Sequence, residues 1–158
     1  MIALTRRYSF SASHRLHSPE LSPAANVQLY GKCNNPYGHG HNYVLEVTVV
    51  GEADPTTGLI LSVAAVDRLV TERVLDLFAS RNINLDVPQF KKLTATTENV
   101  ALVIAELLRE HWREYLGETA ARLSRVYIQE TERNGFEVLL GRTEAFVPHS
   151  LEREIVNA

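Results

Sequence analysis

The order of apolar periodicities along the chain predicts an α+β domain, an antiparallel four-stranded sheet with two helices on one face in the order ββααββ. Three observations lead there. Residues 2–14 and 39–50 alternate apolar and polar side chains with the period of two that a half-buried strand requires. Residues 62–78 carry an apolar stripe at helical spacing, and a second capped helix follows. Near the end, Arg133-Asn134-Gly135 separates two further strand-like runs, and Asn-Gly is a strong hairpin signal.

In the first strand Ile2, Leu4, Tyr8, Phe10 and Ala12 share a face, with Arg6 as the polar exception. Residues 18–36 mix Pro, Ser, Gly and Asn around a short apolar patch, so they read as a long excursion holding a helical turn, and such loops often carry function. Tyr43, Leu45, Val47 and Val49 then mark the second strand. Asp54-Pro55-Thr56-Thr57-Gly58 is turn chemistry, 59–61 a brief extended piece, and Ser62 a cap for a helix running to about Phe78. Val66, Leu69, Val70, Val74, Leu77 and Phe78 form its core stripe. Residues 79–95 connect to the second helix, which Thr96 or Thr97 caps and which ends near Gly117. Strands at 123–131 and 136–141 complete the domain, taken as 1–146, and 147–158 form a polar tail.

At 158 residues the chain can bury a core without staples. A net charge of -3 with no long basic run argues against nucleic acid or an acidic membrane as partner and for a small molecule. One cysteine makes no internal disulfide, and the start lacks a secretory apolar segment, so a reducing cytoplasm fits best. No apolar stretch is long enough to cross a bilayer as a helix. Two uncovered sheet edges invite self-association.

Chemistry concentrates in the run from Gly31 to Tyr43, which holds Cys33 and a His-Gly-His pair. In an extended backbone His39 and His41 point to one side and can offer two imidazoles to one ion. His14, on the face of Phe10 and Ala12, supplies a third, and three neutral imidazoles with an open fourth position are a standard catalytic zinc set. The competing reading of His14 is a core histidine satisfied by a backbone carbonyl. His17, His111 and His149 read as surface or structural residues. Cys33 is either a catalytic thiolate, favoured by a nearby cation, or a fourth ligand that would close the site. Glu130 continues the apolar row of Val126 and Ile128; such a carboxylate needs donors, and a 2-amino-4-oxo pterin offers two adjacent N–H groups. The alternative is a strand-end residue already turned to water. Lys32, Arg15, Arg81, Lys91 and Lys92 are candidates to neutralise a substrate phosphate.

Five motifs in order resemble the family of 6-pyruvoyl-tetrahydropterin synthases, which includes the 6-carboxy-tetrahydropterin synthases of queuosine synthesis. They are Phe10-Ser11-Ala12-Ser13-His14-Arg15-Leu16, the Cys33 to Tyr43 run, Asn82-Ile83-Asn84-Leu85-Asp86-Val87-Pro88, Thr96-Thr97-Glu98-Asn99-Val100, and Glu130-Thr131. The resemblance implies a tunnelling fold (T-fold) whose subunits join sheets into an oligomeric barrel, usually a homohexamer. It further implies zinc on His14, His39 and His41, Cys33 as catalytic thiol, and Glu130 with Thr96 and Thr97 as pterin anchor. The implied activity is a carbon-oxygen lyase converting 7,8-dihydroneopterin triphosphate to 6-pyruvoyl-tetrahydropterin, with the queuosine-type product as alternative. The Cys33 to His39 spacing resembles the pyruvoyl-forming branch. One departure stands out: the family's usual Asp-His pair before the Asp-Val-Pro segment is Ala79-Ser80 here. A pterin-binding pseudoenzyme is the reading that this departure favours.

Overall fold

The computed structural model describes residues 1–141. Five strands form one sheet in the order β3-β1-β2-β4-β5, with β1 at Ile2–His14, β2 at His39–Gly51, β3 at Arg81–Asn82, β4 at Arg122–Gln129 and β5 at Gly135–Leu139. The four long strands pair antiparallel as expected. β3 adds a short parallel partner, setting Arg81 and Asn82 against Ala12 and Ser13, so the sheet is mixed. Two residues give no alternation to read, which is why this strand was hidden in the 79–95 connection.

Helices α1 (Pro23–Tyr30), α2 (Val63–Val70), α3 (Asp76–Phe78), α4 (Ile83–Asp86), α5 (Thr97–Glu110) and α6 (Trp112–Leu116) complete the described residues. α1 occupies the long excursion, started by Ser22, whose side chain accepts from the Ala25 N–H, and by Pro23 in the first turn. A π-helical turn, Thr71–Leu75, joins α2 to α3. The core residues Val66, Val70, Val74 and Phe78 recur every four positions, which outruns 3.6 residues per turn, and the wider turn absorbs the drift. The second expected helix is likewise two pieces, α5 and α6, parted at His111, whose ring bonds the Leu107 carbonyl.

The core lies between one sheet face and these helices. Phe10, Tyr43, Leu45, Val47, Val126 and Ile128 from the strands meet Leu69, Val74, Phe78, Ile104 and Leu108 from the helices. Arg6, the exception on that face of β1, sends its guanidinium bidentate to Asp67 of α2 at 2.9 and 2.7 Å. The Tyr8 hydroxyl donates to the same carboxylate at 2.7 Å. Foremost through the Arg6 hydrogen bond, Asp67 is held below the ordinary carboxylate range. A depressed folded value means stabilisation that is present above the unfolded carboxylate pKa and lost as pH falls through the folded one. Asp67→Asn is therefore expected to lower the urea midpoint at neutral pH, with the gap from the parent closing below about pH 4. Paired urea titrations at the two pH values check it.

The polar tail, the last residues of the 1–146 domain and His149 lie outside the described residues. No helix among the described residues is long and apolar enough to cross a membrane.

Candidate metal centre

Strand register brings the three histidines together. His14 is paired directly with His39 across the β1/β2 ladder, and His41 lies two residues on, opposite Ala12, so all three side chains share the helix-covered face. His14 is fully buried, while His39 and His41 are half-buried. One ring nitrogen from each comes within 4.8 Å of the others, and Cys33 is not part of this cluster.

The tautomer of His14 follows from its partner. Its Nδ1 lies 2.7 Å from the Ala95 carbonyl, which can only accept, so Nδ1 carries the proton and Nε2 presents a bare lone pair. That Nε2 stands 3.1 Å from His39 Nε2. Two imidazole nitrogens bound tetrahedrally to one zinc at ~2.05 Å stand ~3.3 Å apart, close to this spacing. His39 Nδ1 and His41 Nε2 are buried without hydrogen-bond partners; coordination removes that cost at His41 Nε2, whereas His39 meets the cluster through its Nε2. Burial, the largest influence, pushes both His14 and His39 below the usual imidazole range. Neutral imidazoles are the form a metal takes. The donor set fits a divalent cation such as zinc.

Glu130 adds a carboxylate at the rim. It follows the last residue of β4, yet its Oε1 lies 3.6 Å from His14 Nε2 and 3.7 Å from His41 Nε2. The Thr97 hydroxyl donates to that same oxygen at 2.5 Å. Of the two threonines, Thr96 is the N-cap of α5, accepting from the Asn99 N–H, while Thr97 turns its hydroxyl to the carboxylate. Tyr43, two residues beyond His41, places a hydroxyl with no hydrogen-bond partner in the same buried region. Its pKa is raised, first by burial and then by the Glu130 charge.

Cys33 sits half-buried in a 3-10 turn, Gly31–Asn34, and its carbonyl accepts from the Leu16 N–H at 2.9 Å, two residues past His14. Asn34 secures this join, donating to the Leu16 carbonyl and meeting His17 Nδ1 at 3.0 Å. His17 is thereby tied to the same join. Asn84 does the same for Arg15, accepting from its N–H at 2.8 Å and donating to its carbonyl at 3.0 Å. Ser80 has a positive φ of 60° and donates its N–H to the Ser11 carbonyl. Within one chain, Ser80 and Cys33 are therefore anchored at opposite ends of the 11–16 segment.

Gly38 fixes the approach of the two histidine strands. Its φ is +69°, and a Cβ there would stand 2.8 Å from the His14 carbonyl oxygen. An L side chain in this conformation costs about 1–2 kcal/mol before the clash is counted. Gly38→Ala is expected to lose about 2 kcal/mol in a denaturation curve and to weaken metal binding, since His14 must shift. Unchanged stability would mean that the loop can be rebuilt freely.

Five strands with helices over one face, and three imidazoles converging on the covered side, define a T-fold protein with a candidate metal centre. A family model described as 6-pyruvoyl tetrahydropterin synthase matches residues 3–139. The chain belongs to that family. It is 48% identical over 107 residues to the 6-pyruvoyl tetrahydrobiopterin synthase of Homo sapiens, an alignment covering 68% of this chain and 74% of the human one. With the Drosophila melanogaster protein of the same name it shares 40% identity over 131 residues, 83% of this chain and 75% of that one. The solved structure of 6-pyruvoyl tetrahydropterin synthase from Caenorhabditis elegans superposes with a TM-score of 0.80 at 41% identity, covering 89% and 96% of the two chains.

Proposed function

We propose that this protein is a zinc-dependent carbon-oxygen lyase of the pterin class, converting 7,8-dihydroneopterin triphosphate to 6-pyruvoyl-tetrahydropterin with elimination of triphosphate. The observation that carries the reading is the convergence of three neutral imidazoles beside an inward carboxylate in a chain of this family. His14, His39 and His41 hold the zinc. When bound, the ion supplies Lewis acidity that makes the substrate's side-chain hydroxyls more acidic.

The chain's own residues do the rest. Glu130 accepts the adjacent ring N–H groups of the pterin, and the Thr97 hydroxyl fixes the carboxylate's orientation for that bidentate contact. Thr96 starts the helix that carries Thr97. Cys33, as thiolate, takes and returns protons at the side-chain carbons, the transfers that elimination at the phosphate-bearing carbon and tautomerisation both need. The redox change is internal: oxidation of one side-chain carbinol to a carbonyl is matched by reduction of the dihydropterin ring, and the second carbonyl arises as the C–O bond to triphosphate breaks and the carbon that bore it becomes a methyl. Among the described residues, β5 lies at one edge of the sheet, and at the other the two-residue β3 covers β1 only at Ala12 and Ser13, so most of β1 is left to pair; both edges support assembly of subunits into a homohexameric barrel. A lone cysteine thiol suits a cytoplasmic, reducing setting.

Incubation with 7,8-dihydroneopterin triphosphate tests the reading, following triphosphate release and identifying the product by mass. Release with a pyruvoyl product supports it. A carboxy-pterin product would move the protein to the queuosine-type reaction. Tight pterin binding without turnover would favour a pseudoenzyme, the reading for which Ala79-Ser80 speaks.

A further inference from the structure

We infer that the cavity next to the histidine cluster is an anion subsite that seats the substrate's triphosphate. The cavity measures about 370 Å³, and its lining includes Arg15, His17, Lys91 and Lys92 with no Asp or Glu side chain. In a chain of net charge -3 this is a local reversal of sign. The arginine ion pairs of the described residues engage Arg6, Arg73, Arg109, Arg113 and Arg125, none of which lines this cavity. Arg15, Lys91 and Lys92 form no ion pair with a carboxylate among the described residues.

Position matters as much as charge. Arg15 directly follows His14, and Gly38 directly precedes His39, so the cavity begins one residue outside the cluster on both strands. Leu93 closes it two residues before Ala95, the carbonyl that orients His14. Arg15 Nε donates to the Asn34 carbonyl at 2.9 Å, and Asn84 clamps its backbone, so the guanidinium plane is aimed before any ligand arrives. A planar fork suits paired phosphate oxygens, and two exposed lysines on the 3-10 turn Pro88–Lys91 and its cap add mobile point charges. A pterin seated at Glu130 extends its side chain past the imidazoles, and its terminal phosphates then meet this basic wall.

This inference rests on the lyase reading for the identity of the anion, but its test does not depend on turnover. Inorganic tripolyphosphate is the probe, titrated by calorimetry into the parent, into Lys91→Ala/Lys92→Ala, and into Arg7→Ala/Arg113→Ala, which removes equal charge away from the cavity. The parent is expected to bind it. The lysine pair variant should bind about tenfold more weakly and show a similar rise in KM for the triphosphate substrate, with metal content and binding of unphosphorylated 7,8-dihydroneopterin unchanged. The arginine pair variant should match the parent. No binding by the parent, or equal losses in both variants, overturns the subsite. Normal tripolyphosphate behaviour with no turnover of any pterin overturns the lyase reading alone.

Discussion

His39→Ala is expected to strip the metal from the protein and to lower turnover about 10³-fold or more. The size follows from what is lost: Lewis-acid stabilisation is worth several kcal/mol, and each 1.36 kcal/mol is tenfold in rate. Losing an outer partner of a ligand already costs about 10–100-fold in metal affinity, and losing the ligand itself costs more. His39 is the informative position because its Nδ1 has no partner and its ring is only half-buried. Alanine there removes coordination with little loss of packing. His14 is fully buried and bonded to Ala95, so its replacement would mix metal loss with damage to the core. Elemental analysis of both proteins, beside far-ultraviolet circular dichroism, reads the effect. A variant that keeps one zinc per chain and full activity would refute the three-imidazole centre.

Cys33→Ser is expected to cost about 10² to 10⁴ in kcat, the range for removing a general acid or base, while zinc content and pterin affinity stay put. Serine preserves shape but not acidity, since its hydroxyl does not ionise near neutral pH. The backbone tie from Leu16 to the Cys33 carbonyl is untouched by the change, so the turn that carries the residue should hold. A fall in zinc content instead would identify Cys33 as a ligand. Unaltered kcat would assign the proton transfers elsewhere.

Much of this site was legible because strands convert spacing into direction. His39 and His41 had to share a face, and Phe10 and Ala12 revealed which face His14 would join. The two competing readings of His14 turn out to be compatible: one nitrogen is satisfied by a carbonyl, and that bond is what leaves the other nitrogen bare. Glu130 likewise lies at the strand end and still points inward, because the Thr97 hydroxyl holds it there. Thr96 and Thr97 were indistinguishable as bare sequence, and only the start of α5 separates the cap from the threonine whose hydroxyl meets Glu130.

What stayed hidden was carried by main-chain groups or by too few residues. The Ala95 carbonyl has no side-chain signature. Asn84 and Asn34 act on the backbone of Arg15 and Leu16, contacts between residues far apart in the chain that no local pattern announces. β3 has two residues, below the length at which alternation exists. The π-helical turn, by contrast, was implicit in the four-residue repeat of the core stripe, which a uniform helix cannot keep in line.

Ala95 and Thr97 stand two residues apart at the threshold of a single helix, one steadying an imidazole and the other a carboxylate. Both grips are thus machined into one bracket. Whatever shifts that bracket therefore acts on the His14 ring and on the Glu130 carboxylate at once.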